Sequence, residues 1–148
     1  MKICDVIGPN QVIVGLRTGD KAQLLQELAS RAGAALGLDR RVILDALQAR
    51  EALGSTGLGK GFALPHARLD TLDRAFALFV RLARPIDFMS IDDRPVDLVI
   101  LLLTPGEASN QHLATLAALS RPLRDEGFVR RLRQAPDAAA VHALLAGV

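Results

Sequence analysis

A chain of 148 residues, half of them hydrophobic, has enough apolar material for one domain spanning residues 1–148. Its 18 basic and 16 acidic side chains leave a net charge of +2 and its aromatics are five phenylalanines, which argues against nucleic acid as a partner. The longest apolar run, residues 98–103, is too short for membrane insertion, the N-terminal residues lack a secretory signal, and a lone Cys4 allows no internal disulfide, so a cytoplasmic protein is expected.

In chain order, the β-branched stretch at residues 11–16 predicts a first strand, and Gly19-Asp20 a break with a helix cap. Leu24, Leu25, Leu28, Ala29 and Ala32 recur at helical spacing over residues 21–36, and Gly37 fits the stop. Asp39 then caps a second helix, ending near Glu51, whose buried side would carry Val42, Ile43, Ala46 and Leu47. Residues 54–61, with four glycines in eight positions, predict a loop. Phe62 to Leu64 can enter a strand that Pro65 ends, leaving His66 just beyond a rigid turn.

Residues 75–82 and 96–103 are the clearest strands, the second apolar on both faces and therefore central, with a short piece at 85–89 between them. Ser109 or Asn110 would cap a helix carrying Leu113, Leu116, Ala117 and Leu123, which Pro122 should end or kink. Short helices at 128–134 and 138–145 finish the chain. The alternation predicts an α/β single-domain layered fold, a mixed β-sheet flanked by α-helices. Five arginines between Arg121 and Arg133, partly offset by Asp125 and Glu126, form either a solvated helix face or a docking patch for an acidic protein surface.

The glycine loop satisfies G-x-x-x-x-G-K through Gly54, Gly59 and Lys60. A nucleotide-binding loop also needs Ser or Thr after the lysine and a helix N-terminus; Gly61 and a strand-like segment stand there instead. What the loop offers is backbone N–H groups at positions such as Gly59, the hydroxyls of Ser55 and Thr56, and Lys60, all candidate phosphate binders a few residues from His66. A neutral imidazole is a good nucleophile near pH 7.

The run R-E-A-L-G-S-T-G-L-G-K-G-F-A-L-P-H-A-R-L, residues 50–69, resembles the active-site signature of the fructose/mannitol/nitrogen-type IIA proteins of the bacterial phosphotransferase system. N-Q-H-L-A-T-L at 110–116 is similar to the family's second-histidine segment, and residues 85–105 to its sheet region. The resemblance implies that His66 is the phosphorylated residue, His112 its neighbour across the pocket and Arg50 the nearby cation. Phosphoryl transfer asks mainly for positioning and charge stabilisation, which Arg50 and His112 can supply, and first-turn N–H groups of a helix starting at Ser109 would point to the same anion.

The resemblance further implies a phosphoryl donor that is an HPr-like (NPr) phosphocarrier protein, charged from phosphoenolpyruvate by an enzyme I homologue, with no cofactor and no metal. The G-S-T-G run and the second-histidine segment look closest to the nitrogen type, whose members act on regulatory protein targets; the alternative is a fructose-type component passing phosphate to the IIB component of a sugar permease. Leu58, Phe62 and Leu64 are candidates for an apolar docking surface or for the core. Two positions depart from the family pattern: Ala67 replaces a glycine, which puts a positive-φ turn there in question, and Lys60 replaces an asparagine, where it either strengthens anion binding or points to solvent. His142 matches no functional position.

Overall fold

The sheet is built around its most apolar strand. A computed structural model describes residues 2–106 and 109–148. The elements are β1 (Val12–Leu16), α1 (Lys21–Leu36), α2 (Arg40–Ala52), β2 (Gly57–Gly59), β3 (Phe62–Ala63), β4 (His66–Leu69), β5 (Phe76–Ile86), β6 (Val96–Pro105), α3 (Ser109–Ser120), α4 (Glu126–Gln134) and α5 (Ala138–Ala146). Short 3-10 turns occupy Ile3–Asp5, Pro9–Gln11 and Arg121–Arg124.

The strand order is β1-β5-β6-β3-β2, with β4 following β3 along the same side of β6. β1 runs parallel to β5 and β3 and β4 parallel to β6, whereas β5–β6 and β2–β3 are antiparallel. The sheet is therefore mixed, as expected. Over residues 98–103 of β6, Val99, Leu101 and Leu103 join the core beneath α1 and α2, while Leu98, Ile100 and Leu102 join the core beneath Leu119, Leu132 and Val141 on the opposite face. This period of two explains how an unbroken apolar run serves two cores.

The Asp20 and Asp39 carboxylates accept N–H bonds from Gln23 and Arg41 as expected, and Gly37 takes the left-handed conformation (φ 68°) that terminates α1. Beyond those expectations, Asp125 and Asp137 cap α4 and α5 in the same way through the Phe128 and Ala140 N–H groups. The capping role assigned to Ser109 or Asn110 involves residues 107–108 and lies outside the described residues; Ser109 is itself the first residue of α3.

Several expectations are corrected. The glycine-rich segment is not entirely loop, because Gly57–Gly59 pairs with β3 as a short edge strand. His66 follows β3 across Leu64-Pro65 as expected, but it also opens a further strand: Pro65, which cannot donate to a ladder, separates β3 from β4 while its carbonyl still accepts from Leu102 N–H. Residues 85–89 are not a separate piece, since β5 runs on to Ile86 through a register shift between Arg81 and Ile86. Val42 is exposed, leaving Ile43 and Leu47 as the buried positions of α2. Phe62 and Leu64 are core residues, so only Leu58 of the three docking candidates reaches solvent. Pro122 ends α3, and Leu123 packs from the following turn.

Candidate active site

His66 owes its place to parallel pairing with β6 at Leu102. Alternation along β4 sends Ala67 and Leu69 into the core beneath α1 and α2 and leaves His66 and Arg68 on the other side. The imidazole is half-buried, and its Nδ1 lies 2.8 Å from the Leu64 carbonyl. A carbonyl can only accept, so Nδ1 carries the proton and Nε2 the lone pair. The last turn of α2 supplies Arg50, whose Nε–H donates to His66 Nε2 at 3.3 Å and whose Nη1 donates to the Gly54 carbonyl at 2.9 Å. That carbonyl is aimed by a φ of 152° at Gly54, which a side chain would resist.

His112 approaches from α3, with its ring centroid 5.4 Å from that of His66 and the planes tilted by 50°. It is only 6% exposed, and its Nδ1 shares a 2.5 Å hydrogen bond with Thr104 Oγ1 on β6. Bringing His112 inward rotates α3 away from its apolar pattern. His112, Thr115 and Leu119 are buried, while Leu113 is 64% exposed and Ala117 faces solvent, against the expected face. Thr115 tolerates burial because its hydroxyl donates to the Gln111 carbonyl.

Burial is the main reason that the His66 pKa falls below its ordinary 6.5; Arg50 and Arg68 add to the fall, and the Leu64 carbonyl and Glu51 oppose it. Burial likewise lowers His112, helped by His66, Arg68 and Arg50. Both rings are therefore neutral at pH 7, and His66 presents an unprotonated Nε2 to an arginine. Such a site can accept an electrophile that carries negative charge.

Arg50, His66 and His112 come together, whereas the hydroxyls of Ser55 and Thr56 are engaged within the loop and Gly59 and Lys60 lie farther off. Ser55 Oγ donates to the Phe88 carbonyl at 3.0 Å, and Thr56 Oγ1 donates to Glu51. Both hydroxyls thus fasten the loop. Gly59 and Lys60 lie at the other end of β6, since Gly61 O accepts from Asp97 and Leu98, four residues from the Leu102 partner of His66 and so about 13 Å away. There Lys60 N donates to Asp92 Oδ2 at 2.8 Å, and its φ is 57°.

Ala67 has no positive φ; it is ordinary extended strand, and the doubt over its turn geometry disappears. Sequence reasoning missed Arg68, Thr104 and Glu51. Arg68 was legible as the i+2 neighbour of His66 once β4 is drawn as a strand. His142, on α5, sits 3.3 Å from the Ile7 carbonyl and ties that helix to the N-terminal turn. Cys4 is an exposed free thiol, and no helix among the described residues is long and apolar enough to cross a membrane.

Residues 5–147 match the family model described as phosphoenolpyruvate-dependent sugar phosphotransferase system, EIIA 2. The chain is 44% identical over 146 residues to a nitrogen regulatory protein of Bradyrhizobium diazoefficiens, covering 99% of this chain and 95% of that one. It is 43% identical over 117 residues to the nitrogen regulatory protein of Escherichia coli, covering 78% and 71%. The crystal structure of nitrogen regulatory protein IIA-Ntr from Neisseria meningitidis superposes with a TM-score of 0.91 at 31% identity, over 97% of this chain and 98% of that one.

Proposed function

Since the chain belongs to the EIIA 2 family of the phosphoenolpyruvate-dependent sugar phosphotransferase system, we propose that it is a cytoplasmic phosphocarrier whose His66 Nε2 accepts a phosphoryl group from an HPr-like phosphohistidine protein. The observation that carries this is the pair of bonds on one imidazole. Leu64 O holds the Nδ1 proton, and Arg50 stands at the unprotonated Nε2.

In the transfer, the Nε2 lone pair forms the new P–N bond as the donor's P–N bond breaks, and that electron pair leaves on the donor imidazole. The His66 ring keeps its Nδ1 proton and becomes a phosphoimidazolium, whose positive charge the Leu64 carbonyl stabilises. A P–N bond replaces a P–N bond, so the step is nearly balanced and reversible. Arg50 neutralises part of the charge on the equatorial oxygens. With the Thr104 hydroxyl donating to His112 Nδ1, His112 Nε2–H becomes a second donor for the same oxygens.

The nitrogen-regulatory relatives support a regulator whose targets sense the phosphorylation state of His66, rather than a relay to a IIB permease component. The test is intact mass after incubation with phosphoenolpyruvate, enzyme I and an HPr-type carrier. One acid-labile phosphoryl adduct is expected, absent from His66→Ala, with a phosphorus NMR signal assigning it to Nε2. An adduct that survives the substitution would refute the assignment.

A further inference from the structure

The arginine cluster of residues 121–133 has no part in the proposed transfer, yet the fold places three of its members, Arg124, Arg130 and Arg133, around one concavity. A groove of about 690 Å³ runs between the β2–β3 turn, the loop before β6, the 3-10 turn after α3, and α4. Its apolar lining comes from Leu58, Phe62, Leu123 and Val129, and Leu58 is 51% exposed. Five cations line it, Lys60, Arg94, Arg124, Arg130 and Arg133, against one carboxylate, Glu126.

Neighbouring acids offset only part of this charge. Asp97 grips Arg133 with both oxygens at 2.9 Å, and Glu126 lies 3.8 Å from Lys60 Nζ in an exposed pair. Asp92 is turned to the backbone N–H groups of Lys60 and Arg94. Arg94, Arg124 and Arg130 have no ion-pair partner among the described residues. Three exposed guanidiniums and an apolar lining thus face outward together.

We propose that this groove docks an acidic, amphipathic helical segment of a partner protein, its apolar side on Leu58 and Val129 over a floor of the buried Phe62 and Leu123, and its carboxylates on Arg94, Arg124 and Arg130. Arginine suits such a rim because its planar fork matches carboxylates two bonds at a time. The cations are exposed and spread over several elements rather than converging in an enclosed pocket, which favours a protein surface over a small anion. Strand addition at the β2 edge is blocked, since Gly57 O accepts from Ile91 N–H and Lys60 N–H is bonded to Asp92. The groove end of β6 lies about 13 Å from His66, and Ser120 at its wall lies eight residues, about 12 Å, along α3 from His112. A partner seated there leaves the phosphorylation site its own face.

The probe is a synthetic helical peptide of about 15 residues, with leucines at i, i+3, i+4 and i+7 and glutamates elsewhere, titrated into isotope-labelled full-length protein and followed by amide shifts. Saturable shifts at residues 58–62 and 120–133 are expected, falling as salt is raised. Affinity should weaken about tenfold or more in Arg124→Glu/Arg130→Glu and be unchanged in His66→Ala, so failure here and failure of the phosphocarrier assignment are distinguishable. Retained phosphorylation of His66 in the double variant confirms its fold. Equal binding by a scrambled peptide of the same composition, insensitivity to the double reversal, shifts centred on His66, or displacement by equimolar inorganic pyrophosphate would each overturn the proposal.

Discussion

Glu51, next to Arg50 in the chain, is predicted to hold the active-site loop in place. Its carboxylate is 6% exposed, lies 2.8 Å from Lys21 Nζ, and accepts both the Thr56 hydroxyl and, at 3.0 Å, the Thr56 N–H. Glu51→Ala leaves the Lys21 ammonium and both Thr56 donors without their acceptor. Removing one partner of a buried ion pair costs about 3–5 kcal/mol. Lys21 is 20% exposed and sits 4.5 Å over the Phe88 ring, so it recovers some solvation and a cation–π contact, which points to the lower end, about 3 kcal/mol. For a chain of this length that corresponds to a fall in Tm of about 6–12 °C. Urea denaturation with an unchanged m-value is the assay. Glu51→Gln, which keeps an acceptor for Thr56, should lose less, and Lys21→Met combined with it should recover part of the loss, because the uncompensated charge is then gone. Phosphoryl acceptance should slow as well, since Thr56 anchors the segment whose Gly54 carbonyl aims Arg50. A loss under about 1 kcal/mol for Glu51→Ala would refute the argument.

Arg50→Met removes the cation at Nε2 and should slow phosphoryl transfer about 10²- to 10³-fold, measured by rapid quench; a change below about threefold would exclude a transition-state role. Because His66 titrates below 6.5, its acceptance of phosphoryl groups in single turnover should be flat above that pH and decline below it; a midpoint above 6.5 contradicts the burial argument. The same lowering in His66 and His112 means the unfolded chain takes up protons first on acidification, so stability present above pH 6.5 is lost as pH falls through their folded values, and chemical denaturation across pH 7.5 to 5 should record it. Ala67→Gly should destabilise by about 1 kcal/mol, because it frees an extended residue and removes the methyl of a buried alanine; stabilisation in thermal melts would restore the turn expectation. Lys60→Asn should stabilise by up to about 1 kcal/mol by relieving its positive φ and leave the rate of His66 phosphorylation unchanged, and a large rate loss would return Lys60 to the site.

What the sequence made legible follows from the range of the forces involved. Aspartate caps, the Gly37 stop and the double-faced apolar run of β6 are local signals, and each is found where expected. The histidine–arginine group was legible only through the resemblance, because 16 residues separate Arg50 from His66 and no local rule joins them. The misplaced elements have one cause: strand pairing overrode local preference. Pairing with β3 drew three residues of a glycine-rich segment into an edge strand, and pairing with β6 made His66 the first residue of β4. On α3, the burial of His112 against Thr104 turned Leu113 to solvent, a local rule broken where chemistry is concentrated. Gly59 and Lys60 lie away from His66 because the extended segment between them carries its two ends apart, a separation that nearness in sequence does not reveal.

If His66 accepts a phosphoryl group as proposed, the same geometry lets that act as a signal without rearranging the fold. Before transfer, the site presents two neutral imidazoles with Arg50 and Arg68, a local excess of positive charge on a partly exposed face. A phosphoryl group brings about −1.5 to −2 charges, enough to cancel both arginines. The change therefore erases a positive patch, and no element need move for a partner to register it. A partner selecting the unphosphorylated form would offer carboxylates to Arg50 and Arg68 and be repelled after transfer; one selecting the phosphorylated form would bring its own cations. The basic groove lies about 12–13 Å away, beyond the ~8 Å screening length at physiological salt, so its affinity for an acidic segment should be nearly the same in both states. A partner that must respond to His66 then has to touch both places, with the groove supplying retention and the histidine supplying the switch.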